Sequence, residues 1–113
     1  MYKKIDRETL KAKLESDEVI HLVEVLSKKE FERLHIKGAE HIQFGDIAQE
    51  AKKRFDLKDT IIVYCADKEC LASPTAAKKL DTFNFSNVYD YEAGKADWKA
   101  AGYQMEGLEV SSN

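Results

Sequence analysis

The sequence predicts one α/β domain whose central, mostly parallel β-sheet is flanked by helices on both faces. Three observations predict it. Short β-rich runs alternate with helical segments along the chain, the pattern of successive βα units. Two of the runs, Val19 to Val25 and Thr60 to Tyr64, are apolar almost throughout, as strands covered on both faces should be. The 113 residues make one domain, large enough to build a core without a disulfide or metal staple.

Taken in order, Asp6 is placed to cap a helix running to about Ser16, with Leu10 and Leu14 on one face. The strand Val19 to Val25 follows. Ser27 and Glu30 stand at capping-box spacing, so a helix starts there and runs to about Leu34, and Gly38 ends that excursion. An extended piece, Ala39 to Ile42, precedes a helix from about Asp46 to Phe55, where Asp46 and Gln49 repeat the capping spacing. Thr60 to Tyr64 is β-branched or aromatic at every position, the clearest strand in the chain. After the loop 65–70, Ser73-Pro74 reads as a capping hydroxyl followed by proline at the first helical position. Ala76, Ala77, Leu80 and Phe83 give that helix its apolar stripe. Asn87 to Tyr91 is a further strand, and a last helix around Ala96 to Ala101 carries Trp98 and stops at Gly102. The domain core then spans about 5–106, and 107–113, ending in Ser111-Ser112-Asn113, is a tail.

Composition excludes several classes. Hydrophobic residues are 43% and charged residues 35%, which is globular and not disordered. A net charge of −3 argues against nucleic-acid binding, which calls for a basic surplus. No window approaches a membrane span, and Met1-Tyr2-Lys3-Lys4-Ile5-Asp6 turns polar before a signal-peptide core develops, so a cytoplasmic protein is expected. His21, His35 and His41 lie well upstream of the two cysteines with no paired ligand spacing, so metal is set aside and no cofactor is expected.

The chemistry is sought at Cys65 and Cys70, which in a reducing compartment are reactive or simply buried before they are a structural disulfide. Taken alone, a cysteine ending an apolar strand packs as a small hydrophobe. Its position argues otherwise, because ligands of parallel sheets collect in the βα loops at the strands' carboxyl ends. Amides of the loop Ala66, Asp67, Lys68, Glu69 and Cys70, with those of the helix that follows, can converge on the sulfur and favour an anion. An ordinary thiol is only about 3% ionised at pH 7, and lowering its pKa by about two units would leave most of it as thiolate.

The chain resembles the rhodanese-like family on five motifs in family order. Leu22-Val23-Glu24-Val25 is similar to the early acidic strand motif and Glu30-Phe31 to the Glu-aromatic pair that follows it. His35-Ile36-Lys37-Gly38-Ala39 resembles the His-Ile-x-Gly-Ala turn, and Ile62-Val63-Tyr64-Cys65 the strand leading into the active cysteine. Tyr91-Glu92-Ala93-Gly94-Lys95-Ala96-Asp97-Trp98, continuing to Gly102-Tyr103, resembles the closing Gly-x-x-x-Trp and Ala-Gly-Tyr segment. The resemblance implies a sulfurtransferase that carries sulfane sulfur as a persulfide on Cys65, cradled by loop 66–70, and passes it to a thiol or cyanide. It also implies a small sulfur donor, a thiol acceptor, and a protein as a further donor or acceptor.

Departures from the pattern shape the expectation. Glu24 replaces the commoner Asp, Leu26 stands where Arg is frequent, and the closing glycine pair is reduced to Ala93-Gly94. Five positions after Cys65, where thiosulfate-using members place Arg, this chain has Cys70. Without a guanidinium fork for a dianion, and with Asp67 and Glu69 against Lys68, thiosulfate is expected to be a poor donor. Leu71 at the position of a cysteine phosphatase's arginine argues against phosphoryl chemistry. Cys70 is a candidate resolving cysteine, which needs Cα atoms within about 7 Å. Two other readings stay open, a non-catalytic rhodanese-like protein-binding module and a thiol redox protein using Cys65 with Cys70. His35 and Glu24 read as structural, Trp98 as a packing anchor, and Ser73 and Thr75 as hydroxyls near the sulfur, with capping sufficient to explain Ser73.

Overall fold

Five parallel strands in the order β1-β6-β5-β2-β4 form the sheet of the computed structural model, which describes residues 1–110. They are β1 (Lys3–Lys4), β2 (Ile20–Glu24), β4 (Glu40–His41), β5 (Thr60–Tyr64) and β6 (Asn87–Tyr91). The helices are α1 (Arg7–Glu15), α2 (Lys28–Arg33), α3 (Ile47–Arg54), α4 (Ala72–Thr82) and α5 (Gly94–Ala100), with a 3₁₀ turn over Phe44–Asp46 before α3. A separate antiparallel pair joins β3 (His35–Ile36) to β7 (Met105–Glu106). The α/β class and the mostly parallel sheet expected from sequence are therefore observed.

Strand β5 lies in the middle, paired in register with β2 and β6, and all five of its residues are buried. Alternation along the strands divides the core. Val23, Ile61, Val63, Cys65 and Val88 face one side, covered by Ile47 and Ala51 of α3 and Ala76, Ala77 and Leu80 of α4. Leu22, Ile62, Tyr64 and Tyr91 face the other, against Leu10 of α1, Ile36 and Trp98 of α5. Trp98 anchors that side as expected: its indole Nε1 donates to the Gln104 carbonyl at 3.0 Å and its ring meets Tyr103 edge-on.

Helix starts follow the capping logic in two cases and depart from it in two. Asp6 accepts from the Thr9 amide and Ser27 from the Glu30 amide, opening α1 and α2. Asp46 makes no capping bond, because the 3₁₀ turn already directs the chain into α3. Ser73 is not a cap either. Helix α4 begins at Ala72, two residues before Pro74, so Ser73 lies in its first turn and is fully buried, and Pro74 still falls where no intrahelical N–H is needed. The last helix starts at Gly94, two residues before the expected position, and ends before Gly102, whose φ of +77° suits glycine. Residues 107–110, expected to belong to a tail, hydrogen-bond back to α2: Leu108 and Glu109 donate to the Glu32 and Arg33 carbonyls. Ser111, Ser112 and Asn113 lie outside the described residues. No described helix is long and apolar enough to cross a membrane.

Candidate active site

The chain leaves the carboxyl end of β5 at Cys65 and reaches α4 through a loop tied on both sides. Asp67 folds it: its carboxylate accepts from the Glu69 amide at 3.0 Å and its carbonyl from the Cys70 amide at 3.2 Å, a turn that brings residue 70 back toward residue 65. The amino end of α5 holds the other side, where the Lys95 and Ala96 amides donate to the Cys65 and Ala66 carbonyls at 3.0 and 2.9 Å.

Cys65 and Cys70 are joined by a disulfide, with Cα atoms 6.4 Å apart. The pairing geometry that sequence left open is thus present. Cys65 is fully buried in the apolar cluster of Val25, Val63, Ala76 and Ala77, whereas Cys70 is half-buried. A reagent arriving from solvent meets the Cys70 sulfur first. Lys68 and Glu69 are exposed, and Ala66 and Asp67 are half-buried.

The expected ring of loop amides around the Cys65 sulfur is not formed: among the described residues no main-chain N–H donates to it. The Glu69 and Cys70 amides are taken by Asp67, because an aspartate in a short loop competes effectively for nearby N–H groups. The sulfur's polar neighbour is the Ser73 hydroxyl, 3.4 Å away. A disulfide sulfur carries no proton, so the hydroxyl is the donor in that contact. Thr75 does not join it; its exposed hydroxyl donates to the Leu71 carbonyl.

Beneath Ser73 lies a group the sequence reading passed over. Asp90 of β6 pairs in register with Val63, shares the α4-covered face with Cys65, and is fully buried. Neither carboxyl oxygen has a hydrogen-bond partner. Burial raises its pKa above the ordinary carboxylate value; the nearby Ser73 hydroxyl offsets part of this. The signal was available in Asn87-Val88-Tyr89-Asp90-Tyr91, where alternation sends Asp90 inward with Val88.

Such a residue costs stability. Asp90→Val is expected to raise unfolding free energy by about 1–3 kcal/mol at neutral pH, the scale for removing an unsatisfied buried polar group. The wild-type carboxyl holds its proton more tightly folded than unfolded, so the ionisation part of its cost is absent below the ordinary value near 4, grows as pH rises from there, and levels off above the raised native value. Urea titrations of both proteins between pH 4 and 8 should show the variant's advantage growing with pH and then levelling off. An advantage independent of pH would contradict that account.

A second missed group lies behind the loop. Lys95, buried at the start of α5, places its ammonium 3.1 Å from Glu24 Oε2 and donates to the Leu34 and Glu30 carbonyls at 2.6 and 3.3 Å. Glu24 is wholly buried; burial raises its pKa and Lys95 opposes that rise. The ion pair connects β2 and the end of α2 to the helix whose amides hold Cys65. His35 bonds the Phe31 carbonyl through Nδ1 at 2.6 Å, the structural place expected of it. His21 lies between Glu40 and Asp59, and His41 Nε2 meets the Leu26 carbonyl, both remote from the sulfur.

A family model, the rhodanese-like domain, matches residues 6–101. Two Bacillus subtilis proteins are similar. YrkF, named a sulfur carrier protein, is 30% identical over 94 residues, covering 83% of this chain and 49% of its own. YtwF, named a sulfurtransferase, is 31% identical over 97 residues, covering 86% and 90%. The chain thus spans about half the length of YrkF and nearly all of YtwF. Among solved structures, the rhodanese-like domain of Anabaena sp. Alr3790 superposes with a TM-score of 0.88 at 27% identity, covering 100% of this chain and 85% of that one. A thiosulfate sulfurtransferase from Pseudomonas aeruginosa shares the fold, with a TM-score of 0.83 at 21% identity over 93% of this chain and 20% of its own. The family and the names of its relatives support a role in sulfur transfer. A family model covering most of the chain, together with the parallel sheet that ends in the Cys65 loop, makes this protein a member of the rhodanese-like domain family.

Proposed function

We propose that the protein is a sulfurtransferase in which the reduced Cys65 thiolate attacks the terminal sulfur of a persulfide or polysulfide, forms Cys65–S–SH and expels the remainder as a thiolate. An acceptor thiolate that attacks the outer sulfur removes it and restores the Cys65 thiolate. The observation that carries this reading is Cys65 at the carboxyl end of the central strand, in a loop held by α5, with its sulfur already bonded to a neighbouring sulfur. Family membership supports sulfur as the cargo.

Cys70 favours a second route from the same intermediate. Its thiolate attacks the inner sulfur of Cys65–S–SH, forms the Cys65–Cys70 bond and expels hydrosulfide; two external thiols then reset the pair. Cα atoms 6.4 Å apart suit that closure. Cys70 in the arginine position and the acidic Asp67 and Glu69 disfavour thiosulfate as the donor.

The test is intact mass spectrometry of the reduced protein after incubation with polysulfide or, separately, thiosulfate. Expected with polysulfide is a gain of one sulfur atom that cyanide removes, that Cys65→Ser abolishes and that Cys70→Ser prolongs, with thiosulfate giving far less. No sulfur adduct on wild type or Cys70→Ser would overturn the reading. Loss of two protons without any adduct in either protein would leave a thiol redox protein.

A further inference from the structure

We propose that Asp90 holds the proton that Cys65 takes up when its bond to Cys70 opens, and that the Ser73 hydroxyl passes it on. The inference rests on Cys65 being the reactive sulfur, as in the reading above, and not on the sulfur cargo.

Three features converge on one face of the sheet. The departing sulfur, Cys65, is fully buried, so its thiolate would form away from water. A hydroxyl lies 3.4 Å from that sulfur, on Ser73. A buried carboxyl without any hydrogen-bond partner, Asp90, lies beneath that hydroxyl. An unpaired acid inside a core costs stability, and natural chains carry such violations at functional sites.

The charged groups around Asp90 leave it no ion-pair partner. Lys4, opposite it on β1, pairs with Glu92 just beyond β6 at 3.0 Å, and both are exposed to solvent. Asp81, two turns along α4 from Ser73, is engaged by the Tyr2 amide. The residue opposite on β5 is Val63, and α4 presents Ser73. Glu92 opposes ionisation of Asp90 and Lys4 favours it, so the two act against each other.

An external thiolate attacks the half-buried Cys70 sulfur; the new bond is the mixed disulfide on Cys70, and the Cys65–Cys70 bond breaks with its electron pair on Cys65. The Ser73 proton moves to the Cys65 sulfur; the Ser73 oxygen, which makes no hydrogen bond to Asp90 while the disulfide is closed, then turns to Asp90 and takes its carboxyl proton, leaving Cys65 as thiol and Asp90 as carboxylate. A second thiolate from the reductant attacks the reductant's sulfur in the mixed disulfide and frees Cys70. Run in reverse, the Asp90 carboxylate takes the Cys65 proton and makes the thiolate that attacks.

The experiment follows reduction of the oxidised full chain by dithiothreitol from pH 5 to 9, by alkylation and mass spectrometry, with rates divided by dithiothreitol thiolate concentration. Wild type is expected to accelerate as pH falls through Asp90 protonation. Asp90→Asn and Ser73→Ala should lose that acceleration and run at least tenfold slower at pH 6, a threshold set below the ~10²–10⁴-fold a positioned acid typically supplies. Infrared difference spectra between oxidised and reduced protein give a readout that a packing role would not move. Wild type, at a pH low enough for the buried Asp90 to hold its proton, should lose a protonated-carboxyl band on reduction, and Asp90→Asn should show no such change. Rates of Asp90→Asn within twofold of wild type at every pH, or an unchanged carboxyl band in wild type, would overturn the proposal. No sulfane sulfur enters these measurements, so a failed sulfur-loading assay leaves them standing and their failure leaves that assay untouched.

Discussion

Lys95→Ala is expected to lower the unfolding free energy by about 3–5 kcal/mol at pH 7, the range for removing one partner of a buried ion pair, and a large share of the ~5–15 kcal/mol a domain has. Lys95 binds a carboxylate and two main-chain carbonyls with one ammonium, so its loss leaves the wholly buried Glu24 without its ion-pair partner and the Leu34 carbonyl short of a donor, while the Glu30 carbonyl keeps the Leu34 amide. The sign with pH follows. Without Lys95, the pKa of Glu24 rises further in the folded state than the burial-driven rise already present, so the variant regains stability as pH falls through that native value. Glu24→Leu combined with Lys95→Met should recover most of the loss, because an apolar pair of similar volume removes both charges from the core. Urea unfolding of the three variants at pH 5 and pH 7 checks this. A loss below about 1 kcal/mol for Lys95→Ala, or no recovery in the double variant, would mean the pair does not clamp the fold.

The sheet was legible where strands are long enough to show a period. Thr60 to Tyr64 and Asn87 to Tyr91 match β5 and β6 in full, and the strand expected at Val19 to Val25 is β2 shortened by one residue at its start and one at its end, with Val19 exposed. Strands β1, β3 and β7 are two residues each and carry no such period; β3 exists because β7 pairs with it across about seventy residues of sequence. The cysteine loop was legible by position. What joins Cys65 was not: a spacing of five permits a disulfide without requiring one, and the loop that turns at Asp67 holds the two Cα atoms 6.4 Å apart. Pro74 gives its neighbour Ser73 the look of a cap, whereas the helix starts two residues sooner, at Ala72, and turns the hydroxyl to the sulfur. Lys95 looked like any surface lysine in a helix, and its burial depends on Glu24, seventy-one residues away.

Gly94→Ala is the substitution expected to damage the loop most with the fewest atoms. Gly94 has φ +73°, and a Cβ there would lie 2.7 Å from the Asp67 amide nitrogen, 2.7 Å from the Cys65 carbonyl oxygen and 2.8 Å from the Ala66 carbonyl carbon. These are backbone atoms, which cannot rotate away, so the helix and the loop must separate. The left-handed conformation alone costs about 1–2 kcal/mol and overpacking adds about 1–3, together a fall in melting temperature on the order of 10 °C or more for a domain of this size. Separation also stretches the Lys95 and Ala96 amide bonds to the Cys65 and Ala66 carbonyls, so sulfur loading should fall further than stability alone explains. Gly38→Ala is the control, since its φ of +85° carries the same conformational strain with nothing within 4 Å of an added Cβ. Ala93, in place of the first glycine of the family's pair, has an ordinary right-handed conformation, so of that pair only position 94 needs a glycine. Thermal unfolding and polysulfide loading of Gly94→Ala that match those of Gly38→Ala would show that contact with the Cys65 loop does not constrain this position.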